Sequence, residues 1–237
     1  MSGNEKGRRP WLSVVVPTLN AATTLPATLS ALRADDNDGV EVIVADGGSC
    51  DGTPDIAAQN HVAVITAPRG RGAQLAAGAR AARGDWLMFV HADTVLGAGW
   101  RTAAETFSSD PANAERVAAF RFVLDLDGAS ARRLESYVAW RARVLGLPYG
   151  DQGLLVARAF YERLGGFAEI PIMEDVDMTR RARRAGGGRP EMLDIAATTS
   201  ARRYRGAGVV LRGTRNLFCL ALHFLGVPPR LIVRLYG

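Results

Sequence analysis

A chain of 237 residues, 48% hydrophobic and 22% charged with 26 glycines, has the size and make-up of one large α/β domain or two small ones, which excludes a collagen, a coiled coil and a disordered tail. Two cysteines, Cys50 and Cys219, are too few for a disulfide framework, and the polar, basic residues 1–10 do not read as a secretory leader, so a disordered N-terminal segment and a cytoplasmic location are expected. The net charge of +5 is unevenly spread, because no acid follows Asp194 while seven arginines do, leaving +7 on residues 195–237 and −2 on the rest.

Residues 11–16, a β-branched run closed by Pro17, predict a strand buried on both faces of a parallel sheet. Leu25, Leu29 and Leu32 recur at helical spacing until the Asp35–Gly39 cluster turns the chain. Residues 40–45 predict a second strand. Thr53-Pro54-Asp55 then predicts a helix start, with Thr53 as N-cap, Pro54 at the first position and an acid in the first turn. A strand over 62–66, a helix over 71–83 and a strand over 86–90 continue the rhythm, which implies right-handed crossovers and a parallel sheet with helices on both faces. Beyond Asp93 the order becomes irregular: a helix near 98–107, a strand near 118–124, a helix near 130–145 and a strand near 153–156 predict a mixed sheet in one domain. The 14 residues Asn216–Pro229 are uncharged and mostly apolar, shorter than the ~20 needed to span a bilayer as a helix. They predict either a core-packing helix or one lying on a membrane surface with its arginines at anionic headgroups.

Open parallel sheets bind ligands beyond the carboxyl ends of their strands. Those exits read Pro17-Thr18-Leu19-Asn20, then Asp46 to Thr53 with three glycines or serines after the acid, then His91-Ala92-Asp93-Thr94. Each exit alone could be a turn; their coincidence points to a site. If a helix starts between Pro171 and Glu174, then Glu174, Asp177, Arg181 and Arg184 share a charged face, with Asp177 and Arg181 paired at i, i+4. Asp175 then leads the apolar stripe of Met178 and Ala182. Solvation does not explain Asp175 there, although an acid in a first turn also complements the helix dipole.

Taken together, His91-Ala92-Asp93-Thr94, Gly150-Asp151-Gln152-Gly153 and Met173-Glu174-Asp175 resemble the family-2 glycosyltransferases, in particular a subgroup of short bacterial enzymes. The resemblance implies a single GT-A-like domain over residues 11–205, a Rossmann-like mixed central sheet flanked by helices, with a basic helical extension over 206–237. It implies inverting transfer of a sugar from a UDP- or GDP-linked donor to an acceptor hydroxyl, assisted by Mn²⁺ or Mg²⁺. On that resemblance Pro17, Thr18 and Asn20 line the base and ribose pocket, Asp46 accepts from the base, and Arg71, Gly72 and Ala92 approach the nucleotide. Asp93 is the expected metal ligand. His91 stands where the family's Asp-x-Asp pattern has its first acid, so it could touch the ribose, the metal or its own strand neighbours. Asp175 is the expected general base, while Asp151, Gln152, Glu174, Arg202 and Arg203 are expected around the acceptor and diphosphate.

Other classes fit less well. Gly70-Arg71-Gly72 lacks the later glycine of a dinucleotide fingerprint and follows the third predicted strand, not the first. No Gly-Lys-Ser/Thr exists for a P-loop, and Lys6 is the only lysine. Nucleic-acid binding finds support in the basic tail, but aromatic residues make up only 7% and are not interleaved with the arginines. A nucleotidyltransferase making an activated sugar remains the enzymatic alternative. The tail arginines allow peripheral contact with the inner face of a membrane.

Overall fold

The computed structural model describes residues 9–33, 39–205 and 208–236. The expected disordered segment 1–10 and the Asp35–Asp38 turn therefore fall largely outside the described residues. The first half follows its hydrophobic periodicity: β1 (Leu12–Thr18), α1 (Leu25–Arg33), β2 (Val40–Asp46), α2 (Thr53–Gln59), β3 (Ala63–Thr66), α3 (Arg71–Ala81) and β4 (Trp86–Phe89). These strands pair in parallel in the order β3-β2-β1-β4. Leu12, Val14 and Val16 pack with Leu25, Leu29 and Leu32 of α1, while Val15 faces the other way onto Leu75, Ala76 and Ala79 of α3. Alternate residues of β1 are thus buried on opposite faces, which is why the strand reads as an unbroken apolar run.

Two local expectations are corrected. Pro17 does not close the first strand but lies within β1 opposite Ala45. It is tolerated because β4 has already ended at Phe89, opposite Val15, so no neighbour on that side requires its missing N–H. Thr53 is not the N-cap of α2; Gly52 is, at φ 82°, and Thr53 is the first helical residue. The Thr53 hydroxyl is used elsewhere, donating to Asp51 Oδ1 (2.5 Å) and accepting from the Ala21 N–H (2.9 Å).

The second half extends the same sheet through β4-β7-β6-β8-β5. Its elements are β5 (Thr94–Leu96), α4 (Trp100–Ser109), β6 (Val117–Leu124), α5 (Ala129–Trp140), β7 (Leu154–Ala157), α6 (Arg158–Arg163), α7 (Glu174–Ala182) and β8 (Glu191–Thr199), followed by α8 (Arg202–Arg205), α9 (Val209–Phe224) and α10 (Pro229–Tyr236). β7 runs antiparallel to β4 and β6, β6 runs parallel to β8, and β5 closes the edge antiparallel to β8. The mixed sheet is as expected; β5 and α6 are not, since three and six residues are too short to show a period. The helix expected to reach Leu145 leaves α geometry at Trp140 and continues as a π-turn over Arg141–Leu145.

The apolar stretch Asn216–Pro229 is not one element. It closes α9, turns through Gly226 at φ 82° and Pro228, and opens α10 at Pro229. Cys219, Leu220 and Ile232 are buried against Leu147, Ile172 and Val176. Among the described residues no helix is long and apolar enough to cross a membrane.

The topology fixes where a ligand can enter. The chain leaves β1 outward through β2 and β3, then returns to β4 on the other side of β1, so the crevice beyond the carboxyl ends of β1 and β4 is the switch point of the sheet.

Candidate active site

The crevice is a cleft of about 410 Å³ whose wall includes Pro17, Thr18, Arg71, His91, Ala92 and Asp93, with Gln74 beneath and Val233 of α10 at the rim. That volume lies in the range of ~300–1,000 Å³ typical of ligand sites. It shares Arg71, His91 and Asp93 with an inner cavity of about 60 Å³, walled by Tyr149, Asp151, Met173, Asp175, Ser200, Tyr204, Arg212 and Asn216 among others. The β4 exit is therefore the partition between an outer chamber built by the first half and an inner chamber built by the second.

Three predicted outer residues are scaffold and not wall. Asp46 is buried below Thr18, with all four of its acceptor positions filled: Thr18 Oγ1 (2.8 Å) and Ser49 Oγ (2.5 Å) donate to Oδ1, and the Gly48 (3.0 Å) and Ser49 (2.8 Å) N–H groups to Oδ2. Partial burial pushes this carboxyl up, but the donors from Ser49, Thr18 and Gly48 together outweigh it and hold it below the usual carboxylate range. Asn20, left-handed at φ 52°, is exposed and staples the two exit loops, accepting from the Cys50 N–H (3.0 Å) and donating its own N–H to Ser49 Oγ (2.9 Å). Gly72 is where α3 meets the chain after α6; a Cβ there would collide with the carbonyls of Ala168 and Ile170. Gln74, absent from the sequence reading, ties β1 to β2 by donating from Nε2 to the carbonyls of Thr18 and Ala45. Its signal was a polar side chain on the buried face of an otherwise small and apolar helix.

Asp151 and Asp175 line the inner chamber. Met173, left-handed at φ 66°, turns the chain into α7 so that Glu174 and Asp175 open the helix. Asp175 is 6% exposed and fixed by two backbone donors, the Gly150 N–H to Oδ2 (2.6 Å) and the Val176 N–H to Oδ1 (2.7 Å). Each oxygen keeps a second lone pair for an incoming group. A Cβ at Gly150 would come within 2.5 Å of His91 Nε2, so the glycine lets this loop pack closely against the His91 ring. Asp177 and Arg181 pair at 2.7 Å as expected, but Glu174 does not stay on their solvated face. It is fully buried with Arg71 Nη1, at the start of α3, 3.4 Å away. Burial pushes the Glu174 carboxyl up to about 7, against the pull of Arg71 and aided by the charge of Asp175. Asp151 is half-buried, yet its Oδ1 is fully enclosed and accepts no hydrogen bond. Its burial raises it to about 6, with Arg141 opposing and Asp175 and Asp93 adding to the rise.

Two acceptor-side expectations are redirected. Gln152 faces the sheet, donating to the Phe120 carbonyl (3.1 Å) and accepting from the Tyr149 N–H (3.2 Å) and Arg141 Nη2 (3.4 Å), so its amide carries structure. Arg202 points away to Thr23 Oγ1 (2.7 Å), and the side chain of Arg203 lies outside the described residues. The tail arginine in the inner wall is Arg212 of α9, 9% exposed. Helical spacing alone could not select it, because the face of α9 that turns inward is decided by packing against α5. Arg141 and Tyr149 were missed too; the guanidinium carbon sits 3.4 Å from the Tyr149 ring centre and Nε donates to the Leu147 carbonyl (2.9 Å), bracing the inner wall.

Among the described residues no group of three His, Cys, Asp or Glu side chains is arranged to hold a metal. A cation shared with a phosphorylated ligand needs fewer, since Mg²⁺-type ions take one or two carboxylates and draw the rest from phosphates and water. Asp93, on the wall of both chambers, fits that requirement, and the enclosed Oδ1 of Asp151 leaves a hard oxygen in the same cavity.

Residues 13–114 match the family model described as glycosyl transferase family 2. Over that stretch the chain is similar to family 2 glycosyltransferases. Over 94 residues the chain is 33% identical to the PGL/p-HBAD biosynthesis glycosyltransferase Rv2957 of Mycobacterium tuberculosis, a stretch that is 37% of this chain and 37% of the relative. The alignment thus spans well under half of that curated relative. In three dimensions the chain is similar to the mannosyltransferase PcManGT of Pyrobaculum calidifontis, solved with GDP-Man and Mn²⁺, with a TM-score of 0.65 and 23% identity over 88% of this chain and 60% of that one. It is also similar to glucosyl-3-phosphoglycerate synthase of Mycobacterium tuberculosis, solved with Mn²⁺, UDP and glucosyl-3-phosphoglycerate, with a TM-score of 0.64 and 20% identity over 93% and 81% of the two chains. The likeness reaches beyond the residues that match the family model and concerns the fold: the mixed sheet is arranged in the GT-A way.

Proposed function

We propose that the chain is an inverting glycosyltransferase that moves a sugar from a nucleoside-diphosphate donor to an acceptor hydroxyl, with residues 11–205 as the transferase domain and 206–237 as a helical extension in peripheral contact with a membrane. The observation that carries the reading is the position of Asp93 on the wall shared by two chambers, with Asp175 fixed in the inner one. A nucleotide suits the outer cleft, where Pro17, Thr18 and Ala92 present small surfaces to a planar base. The donor's diphosphate then reaches Asp93 and Arg71. A divalent ion held there by Asp93 and the phosphates would supply charge neutralisation for the departing diphosphate.

The remaining work falls to side chains. Asp175, held by two N–H groups, accepts the proton of the acceptor hydroxyl as the hydroxyl oxygen bonds the anomeric carbon and the carbon–phosphate-oxygen bond breaks. Its contribution is placement: two backbone bonds leave it little freedom, so the encounter is close to unimolecular. Arg71 and Arg212 offer charge-assisted hydrogen bonds to phosphate oxygens from either side. Asp151 takes a hydroxyl of the acceptor or of the transferred sugar, which would give its enclosed oxygen the partner it lacks. Base recognition by Asp46 is indirect, through the Thr18 hydroxyl that it holds.

A thermal-shift screen of nucleotide sugars with and without Mn²⁺ tests the reading, because a ligand bound at about 100 times its Kd raises stability by about 2.7 kcal/mol. The expected result is an upward shift for a UDP- or GDP-sugar that is larger with Mn²⁺. Pyrophosphate release from a nucleoside triphosphate and a sugar phosphate would instead select nucleotidyl transfer.

A further inference from the structure

α9 buries Cys219 and Leu220 but also carries large apolar side chains on its outside. Leu211, Phe218 and Leu225, at i, i+7 and i+14, form an outer stripe exposed by 64%, 56% and 80%, while its inner side carries Arg212 and Asn216 to the cavity wall. A helix bathed in water places such residues the other way round. α10 continues the pattern: Ile232 is fully buried, Leu231 and Leu235 are about half exposed, and Arg230 and Arg234 stand beside them on the outside. One hairpin thus bears a run of large exposed apolar side chains in the part of the chain that has seven arginines and no acid. With 16 residues, α9 is too short to span a bilayer and can only lie along one.

We propose that the α9–α10 hairpin docks the protein on an anionic lipid bilayer and that the acceptor is a hydroxyl anchored at that surface. The charge selects the occupant: an apolar stripe rimmed by arginines alone complements acyl chains below anionic headgroups. The same hairpin walls both chambers, through Arg212 and Asn216 inside and Val233 at the outer rim, so docking it brings the entrance of the site to the lipid surface. The statement about the acceptor rests on the transferase reading; the docking statement does not.

Sedimentation with phosphatidylcholine vesicles, with and without phosphatidylglycerol, tests the docking. Binding is expected to be at least about tenfold tighter to the anionic vesicles and to weaken as salt screens the arginines. The double variant Phe218→Asp/Leu225→Asp should lose that binding about tenfold or more, and Arg230→Gln/Arg234→Gln should lose the preference for phosphatidylglycerol. Unchanged thermal unfolding and unchanged Mn²⁺–nucleotide binding in these variants would show that fold and donor site survive. For the acceptor, label from the donor sugar supplied to total membranes of the source cells should enter the organic extract, and less of it with the Phe218→Asp/Leu225→Asp variant. Equal sedimentation with and without lipid, a dimer that the double variant dissolves in place of vesicle binding, or label entering water-soluble product at the same rate in both proteins would overturn the proposal. A protein that docks on vesicles but binds no nucleotide sugar would instead remove the transferase reading.

Discussion

The two halves of the sheet spend their polar groups differently. Around the exits of β1 and β2 every acceptor position of Asp46 is filled, Thr53, Asn20 and Ser49 bridge the loops, and Gln74 closes the carbonyls of both strands. Beyond β4 the pattern reverses: Asp151 Oδ1 and Asn216 Oδ1 are enclosed without a hydrogen bond, and Glu174 is buried with only a long ion pair to Arg71. Buried polar atoms without partners cost free energy. The first half is a finished scaffold, whereas the second keeps buried oxygens without partners. This division also follows the family 2 match, which stops at residue 114 and so leaves Asp151, Glu174 and Asp175 outside it.

The sharpest way to break the comparison is to replace one acid in each half. Asp175→Asn leaves an acceptor oxygen for only one of the two backbone donors and removes the base, so transfer should fall by about a thousandfold while the loss of stability stays at about 1 kcal/mol. Asp46→Ala should do the reverse, destabilising the fold by about 3 kcal/mol in urea titration, because four donors lose their partner at once. If both variants lost stability equally, the contrast between scaffold and reactive half would fail.

A subtler pair sharpens the assignment of the tail arginines. Arg212→Gln should lower kcat/KM about tenfold, the loss of one charge-assisted phosphate bond. Arg202→Gln, whose guanidinium lies on Thr23, should leave it unchanged within about twofold.

The smallest effect is a pH dependence. Asp151 and Glu174 have folded-state pKa values raised to about 6 and about 7, above their unfolded values, so their protonated forms favour the fold below about pH 4 and that contribution is lost as pH rises through 6 to 7. Asp151→Asn should therefore stabilise the protein by about 1 kcal/mol at pH 8 and hardly at all at pH 4, read from urea midpoints.

Much of the fold was legible because the first half is periodic. Leu25, Leu29 and Leu32 announced a helix, and the β-branched run before Pro17 announced a central strand. β5 was not, because three residues make an edge strand only once β8 lies beside them. The site was legible as chemistry but not as depth. His91, Asp93, Asp151 and Asp175 meet in one cavity, yet no spacing rule could tell that Asp46 would be sealed beneath Thr18, that Gln152 would turn to β6, or that Glu174 would be buried beside Arg71. The exchange of Arg202 for Arg212 has the same origin: in a tail with seven arginines, tertiary packing alone decides which one turns inward.

The division of labour itself can be read from one calorimetric titration of the nucleotide diphosphate with Mn²⁺ into the wild type and two variants. Asp93→Ala is expected to weaken binding about tenfold or more, and Asp175→Asn to stay within about threefold of the wild type. Equal losses in the two, or a larger loss in Asp175→Asn, would contradict separate donor and acceptor sides.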